Sequence, residues 1–313
     1  MKHWMQQLNR RNILLLITFL AMFSLMVGCG NEATEPQEPA QDPAQEQVQE
    51  ETPAQPQRIV SLVPSNTEIL FALGLGDAVV GVSDYDNYPE AVQEKTKVGG
   101  REFNVEAILE LQPDLVLAQA SSALTSQDGL EQIRQAGIQV ISIETAASFQ
   151  EVYDSIRQIA QVTGTAEAGE QLISEMQIEV DAILAKVADV KDAPSVWIEV
   201  SQDLYTAGKG TFMDEMLTML HAKNIAGETE GWTQWNEEDV IAANPSVIMV
   251  TYADYVPEWD TQLLTRAGWE GVQAIAQKQI HALPSDETSR PGPRLVEGLR
   301  ALAQILYPDQ FIE

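Results

Sequence analysis

From residue 58 onward, short runs of aliphatic and β-branched residues alternate with longer stretches whose apolar positions recur at helical spacing. Residues 58–62, 78–82, 114–118 and 139–143 read as buried strands, and 66–74, 104–112, 126–136 and 148–162 as the helices between them. Strands without polar alternation, each followed by a helix, predict a parallel sheet covered on both faces. A second set follows, with strands at 195–200, 246–251 and 279–283 and helices at 211–221, 237–243, 260–277 and 292–307. Between the sets, Leu172, Ile173, Met176, Ile178, Val180, Ile183, Leu184 and Val187 supply apolar positions with no interior proline, which predicts one long helix. The expected fold class is α/β: two parallel α/β lobes joined by a single long helix, with a ligand cleft between the lobes. The expected boundaries are 58–164 for the first lobe, 165–191 for the linking helix and 192–313 for the second lobe.

The first 57 residues follow a different pattern. Lys2, Arg10 and Arg11 precede an apolar run from Ile13 to Val27, short of the roughly 20 residues a spanning helix needs. The run ends in Gly28 and Cys29, the arrangement of a lipoprotein signal, so 1–28 is expected to be a signal peptide and Cys29 the lipidated residue. Residues 30–57 hold seven acidic residues, five Pro, seven Gln and no Lys or Arg. Such a stretch cannot bury enough apolar surface to offset its ordering entropy. Residues 29–57 are expected to form a disordered acidic tether reaching roughly 30 Å. A folded body would thus be held clear of the membrane through its N-terminal lipid, outside the cytoplasm.

Charge and composition narrow the chemistry. The chain carries 47 acidic against 18 basic residues, a formal net charge of −29, which repels nucleic acid. With Cys29 as its single cysteine it has no intrachain disulfide and no thiolate metal cluster. His3, His221 and His281 offer little imidazole for metal or base chemistry. Gly74-Leu-Gly76 lacks the third glycine of a dinucleotide loop and precedes a strand. Gly208-Lys209-Gly210-Thr211 lacks the spacing of a phosphate loop. No Gly-x-Ser-x-Gly elbow occurs, and a nucleophile–base pair for an extracellular hydrolase cannot be placed.

Two features remain. The segments from Glu106 through Pro113 to Leu117 and from Glu238 through Pro245 to Met249 echo each other, each with an Asn two residues ahead of its Glu. Glu106 and Glu238 are expected to sit in equivalent first helical turns, where a carboxylate also favours the helix dipole. Second, loops after the strands concentrate polar and aromatic side chains: Ser65 and Asn66, Tyr85, Arg101, Tyr205, Trp232, Tyr252 and Arg290. Aromatics and arginines at such positions suit a wide, flat, partly polar ligand gripped between lobes.

Arg58-Ile-Val-Ser-Leu-Val-Pro-Ser-Asn-Thr-Glu68, Val80-Gly-Val-Ser-Asp-Tyr85, the segment from Asn104 to Val116, and Ser289-Arg-Pro-Gly-Pro-Arg294 resemble the substrate-binding proteins of ABC importers for vitamin B12, siderophores and haem. The likeness covers nearly all of 58–309 and is strongest, in its opening segment, to the cobalamin-binding branch. It implies that Tyr85 and Trp232 contact a corrinoid, with Ser65 beneath it. The branch has a Trp where this chain has Arg101, and a guanidinium also suits a carboxylate-bearing siderophore or haem. For haem, Tyr85 or Tyr205 would have to serve as axial ligand. The resemblance further implies that Glu106 and Glu238 dock onto arginines of a permease dimer. On this reading the protein is not an enzyme: it has no catalytic residue, no resident metal and no cofactor, and it delivers a transported cobalamin-like corrinoid or, alternatively, a ferric siderophore or haem.

Overall fold

A computed structural model describes residues 55–123 and 126–312. The expected signal peptide, Cys29 and all but the last three residues of the expected tether lie outside the described residues. The last of them is tied to the lobe: the backbone N–H groups of Gln57 and of Arg58 next to it donate to Asp114 Oδ2 at 2.8 and 3.0 Å.

The first lobe runs β1 (Ile59–Ser61), α1 (Pro64–Ala72), β2 (Val79–Val82), β3 (Thr96–Lys97), α2 (Val105–Glu110), β4 (Leu115–Gln119), α3 (Ala120–Ala123), α4 (Gln127–Gln135), β5 (Gln139–Ile143) and α5 (Phe149–Val162). The long helix α6 (Ala166–Val187) follows. The second lobe runs β6 (Ser195–Glu199), β7 (Tyr205–Ala207), α7 (Phe212–Met219), β8 (Lys223–Asn224), β9 (Trp232–Gln234), α8 (Glu237–Ala243) and β10 (Val247–Val250). It closes with α9 (Trp259–Leu264), α10 (Gln273–Ala276), β11 (Ile280–Ala282), α11 (Ser285–Ser289) and α12 (Leu295–Leu306).

The strand orders are β3-β2-β1-β4-β5 and β11-β10-β6-β8, with every pairing in both sheets parallel. A separate antiparallel ribbon pairs β7 with β9. The central strands β1, β4, β6 and β10 split their side chains between two cores, as the period of two requires. Ile59, Leu115, Leu117, Val196, Ile198 and Met249 belong to one cluster that extends through both lobes. Val60, Val116 and Ala118 face a core private to the first lobe, and Trp197, Ile248 and Val250 one private to the second. The shared cluster is joined through α6, whose Ile173, Met176, Val180, Ile183 and Val187 are all buried in it. At 22 residues, α6 spans about 33 Å. It crosses α5 closely at Gly169, where an added Cβ would stand 2.6 Å from that of Ala160.

The echoed segments match in backbone detail. Asn104 and Asn236 cap α2 and α8, their side chains accepting from the backbone N–H of Ala107 and Asp239. Each copy then ends in a left-handed residue directly before its proline, Gln112 at φ 48° and Asn244 at φ 47°.

The structure departs from the sequence pattern in several places, among them the linking helix, which ends at Val187 and not at 191, and the short helix α3, which the pattern does not predict. The expected helix at 260–277 is two short helices, because Gly268 turns the chain at φ +84° and delivers Trp269 fully buried into the core. The expected helix at 292–307 begins at Leu295, with α11 as a separate turn before it. The strands β3, β7, β8 and β9 have two or three residues each, too few to show a period.

Candidate functional site

In both sheets the strand order reverses direction from a central strand, between β1 and β4 in one and between β6 and β10 in the other. Ligands of open α/β sheets bind outside the carboxyl ends of strands at such switch points. In the first lobe the point is open. Val63, Pro64 and Ser65 after β1, Gln119 at the end of β4 and Thr145 to Ala147 after β5 line one side of a cleft of about 380 Å³. Phe212, Trp232 and Ser289 to Pro291 of the second lobe line the other. A larger hollow of about 780 Å³, lined by Gln57, Asp114, Gln139 and Gln161 among others, lies at the opposite, amino ends of the first-lobe strands. It has neither the second lobe nor aromatic side chains, so the interlobe cleft is the candidate site.

Local sequence explains how these side chains are presented. Pro64 starts α1 directly after β1, and Val63 offers no side-chain cap, so the first turn of α1 faces the cleft with Ser65 on it. The turn is pinned from behind by Thr67, whose hydroxyl donates to Ser61 Oγ at 2.8 Å. Trp232 is 48% exposed, with its inner edge against Phe212 at 5.5 Å in a T-shaped contact. Trp235, three residues on, turns the other way and packs tilted against Trp197, 5.5 Å between centroids. The register of the ribbon places Tyr205 on the same face as Trp232. Tyr85 is 59% exposed beside Gly100, where an added Cβ would come within 2.9 Å of its hydroxyl.

Two expected ligand contacts, Asn66 and Tyr252, are corrected. Asn66 is buried, its amide donating to the Ala118 carbonyl at 3.3 Å, so it ties α1 to β4. Tyr252 is also buried, its hydroxyl donating to Glu199 Oε1 at 2.6 Å. Glu199, at the end of β6, takes both guanidinium N–H groups of Arg266 at 2.7 and 2.8 Å and the indole N–H of Trp197 at 3.1 Å. This satisfied network fills the second lobe's switch point, and burial next to the Glu199 charge pushes the Tyr252 hydroxyl far above its ordinary range. Arg290 does line the cleft, but its guanidinium is already bound within the protein. It pairs with Glu68 at 3.2 Å and Asp286 at 2.9 Å, and donates to Asn87 Oδ1 and the Tyr85 carbonyl.

Arg101 stands exposed on its loop, outside the lining of the cleft. The loop carrying Tyr85 is held from beneath by Asp86, which accepts from the Ser83 backbone N–H at 2.8 Å and its hydroxyl at 2.6 Å. Burial pushes the Asp86 carboxyl up, against those bonds, and its Oδ1 has no partner among the described residues. Glu106 and Glu238 are both exposed, each the second residue of its helix. No signal in the sequence marked Glu68, Asp86 or Glu199. The partners of Glu68 and Glu199 lie far away in sequence, and Asp86 is one of several polar residues in its loop with nothing to set it apart.

Two parallel lobes braced by one helix, with a cleft along their strand ends, define the two-lobed class of extracytoplasmic substrate-binding proteins. Comparison with known proteins agrees. The family described as periplasmic binding protein matches residues 59–287, and the chain belongs to that family. It is 40% identical to the uncharacterized ABC transporter substrate-binding lipoprotein YvrC of Bacillus subtilis, covering 92% of this chain and 95% of that one. It is 31% identical to a cobalamin-binding protein of Halobacterium salinarum, over 81% of this chain and 70% of that one. Among solved structures, the periplasmic heme-binding protein RhuT of Roseiflexus superposes with a TM-score of 0.72 at 29% identity, over 81% of this chain and 99% of that one. The protein is therefore an ABC-transporter substrate-binding protein, not an enzyme, and works outside the cytoplasm.

Proposed function

We propose that this protein captures cobalamin or a related corrinoid and delivers it to the permease dimer of an ABC importer, held at the membrane by a lipid on Cys29. Arg290 carries the ligand assignment. The cation on the cleft wall is neutralised by Glu68 and Asp286, which leaves Ser65, Gln119, Thr145 and Ser289 as neutral polar groups beside Trp232 and Phe212. A broad macrocycle rimmed with amides suits such walls. An anionic ligand would surrender its hydration there without gaining an unpaired cation. The likeness to a cobalamin-binding relative supports the same reading. Under this proposal 58–164 and 192–313 are the two binding lobes, 165–191 is the brace, and Glu106 and Glu238 meet the permease.

A second reading, haem or a ferric siderophore, is favoured by the exposed Tyr85 side chain on the loop after β2 and by the likeness to a heme-binding structure. Titration of the purified protein with cyanocobalamin, cobinamide, haem and ferric siderophores separates the two. Tight cobalamin binding is the expected result, and tight binding of haem or a ferric complex with none of cobalamin overturns the assignment. For the anchor, Cys29→Ser is expected to release the protein from the membrane fraction.

A further inference from the structure

We propose that Glu68 and Glu215 are positioning residues for ligand binding, a reciprocal pair of carboxylates that fixes the width of the cleft. Each sits on the leading helix of one lobe, α1 or α7, and each is bound to the other lobe. Glu68 is buried and accepts from Arg294 at 2.8 and 3.0 Å and from Arg290 at 3.2 Å, both on the second lobe. Glu215 runs the opposite way, accepting the backbone N–H of Phe149 at 2.7 Å. Phe149 is the first residue of α5, whose cap Ser148 bonds Glu151 instead, so its N–H is one of the groups a helix start leaves unpaired. A carboxylate from the facing lobe satisfies it and meets the positive end of a 14-residue helix.

The cleft lies between these ties. Its lining includes Arg290 at one and Ala147 and Phe212 next to the other. The first tie is reinforced on its own side of the gap: Asn87 donates to Asp286 at 2.7 Å, and the Arg294 guanidinium lies 4.0 Å from the Tyr88 ring centroid. A gap bordered by two charged ties has a defined width before a ligand arrives, and preorganisation of this kind reduces the ordering cost of binding. The inference is independent of which ligand is carried.

The test places one spin label on each lobe, at Gln132→Cys and Glu270→Cys, in the full chain carrying Cys29→Ser, and measures the distance distribution between them without ligand. The parent is expected to give one narrow distribution. Glu68→Gln combined with Glu215→Ala is expected to broaden it and shift it to longer distance, with the far-UV circular dichroism of the parent retained. Arg290 and Arg294 keep Asp286 and Glu287 as partners in that variant, so no cation is left bare. A folded double variant with the parent's distribution overturns the proposal. Should the double variant not fold, Glu215→Ala alone, which severs the second tie completely and leaves Glu68 paired with Arg290 and Arg294, is measured and judged by the same criterion.

Discussion

Glu106 and Glu238 occupy the same place in their helices, the second residue after an asparagine cap, and both are exposed. A carboxylate there contributes about 0.3–1 kcal/mol through the helix dipole. If that were their whole role, replacing both would slightly lower the melting temperature and nothing else. With docking as their role, Glu106→Ala with Glu238→Ala abolishes uptake by cells and leaves ligand affinity unchanged. Anchors of hot-spot grade contribute about 2 kcal/mol each, roughly thirty-fold in affinity for the permease. Unchanged uptake would rule the docking role out.

Trp232→Ala is expected to weaken ligand binding by about 1–3 kcal/mol, roughly five- to 150-fold, measured by isothermal titration. Its exposure means that little buried surface is lost in the free protein, so the melting temperature should hold. A variant that melts early with full affinity would place this indole in the fold and not in the site.

Tyr252→Phe tests the opposite assignment. The hydroxyl it deletes is bound to the Glu199 carboxylate inside the second lobe. Loss of a hydrogen bond to a charged partner costs about 1.5–3 kcal/mol of stability and should leave affinity unaltered. Glu199→Ala should be harsher, about 3–5 kcal/mol, since Arg266 is then left charged and mostly buried. Denaturant titration reads both, and a fall in affinity for Tyr252→Phe without loss of stability would return the side chain to the cleft.

Asp86 makes a prediction in pH. Burial raises its folded-state pKa above the unfolded value, so the folded protein holds that proton more tightly than the unfolded chain. The associated stability is fully present below the unfolded pKa and is lost as pH rises through the raised folded pKa. Asp86→Asn removes this dependence. Its stability relative to the parent should be most favourable near pH 7 and decline on acidification toward about pH 4, measured by urea unfolding at each pH. A difference that stays constant with pH would exclude Asp86 as the source.

What the sequence made legible tracks the length over which each pattern repeats. The strand at 139–143 and the helix at 237–243 have the expected bounds, and the long brace was recognisable from its buried positions. At 260–277 a helical period continues across Gly268, and no local signal reveals that Trp269 is better buried by breaking the helix there. Among the expected site residues, Ser65, Trp232 and Arg290 line the cleft, whereas Tyr252 has the same loop position after its strand but turns inward to Glu199. Arg290 and Arg294 were visible as a basic pair. Their partner Glu68 lies more than two hundred positions earlier, and no spacing rule relates residues that meet across two lobes.

The apolar face of α6 enters a cluster built from both sheets, so the halves have a common fate on heating. A calorimetric scan should show one endotherm for 55–312, and a methylene deleted from Ile173 or Val180 should lower the melting of both sheets together. Neither half is a spare part: severed at the brace, each would present a raw hydrophobic flank to water, and the cargo carrier would be lost as a unit.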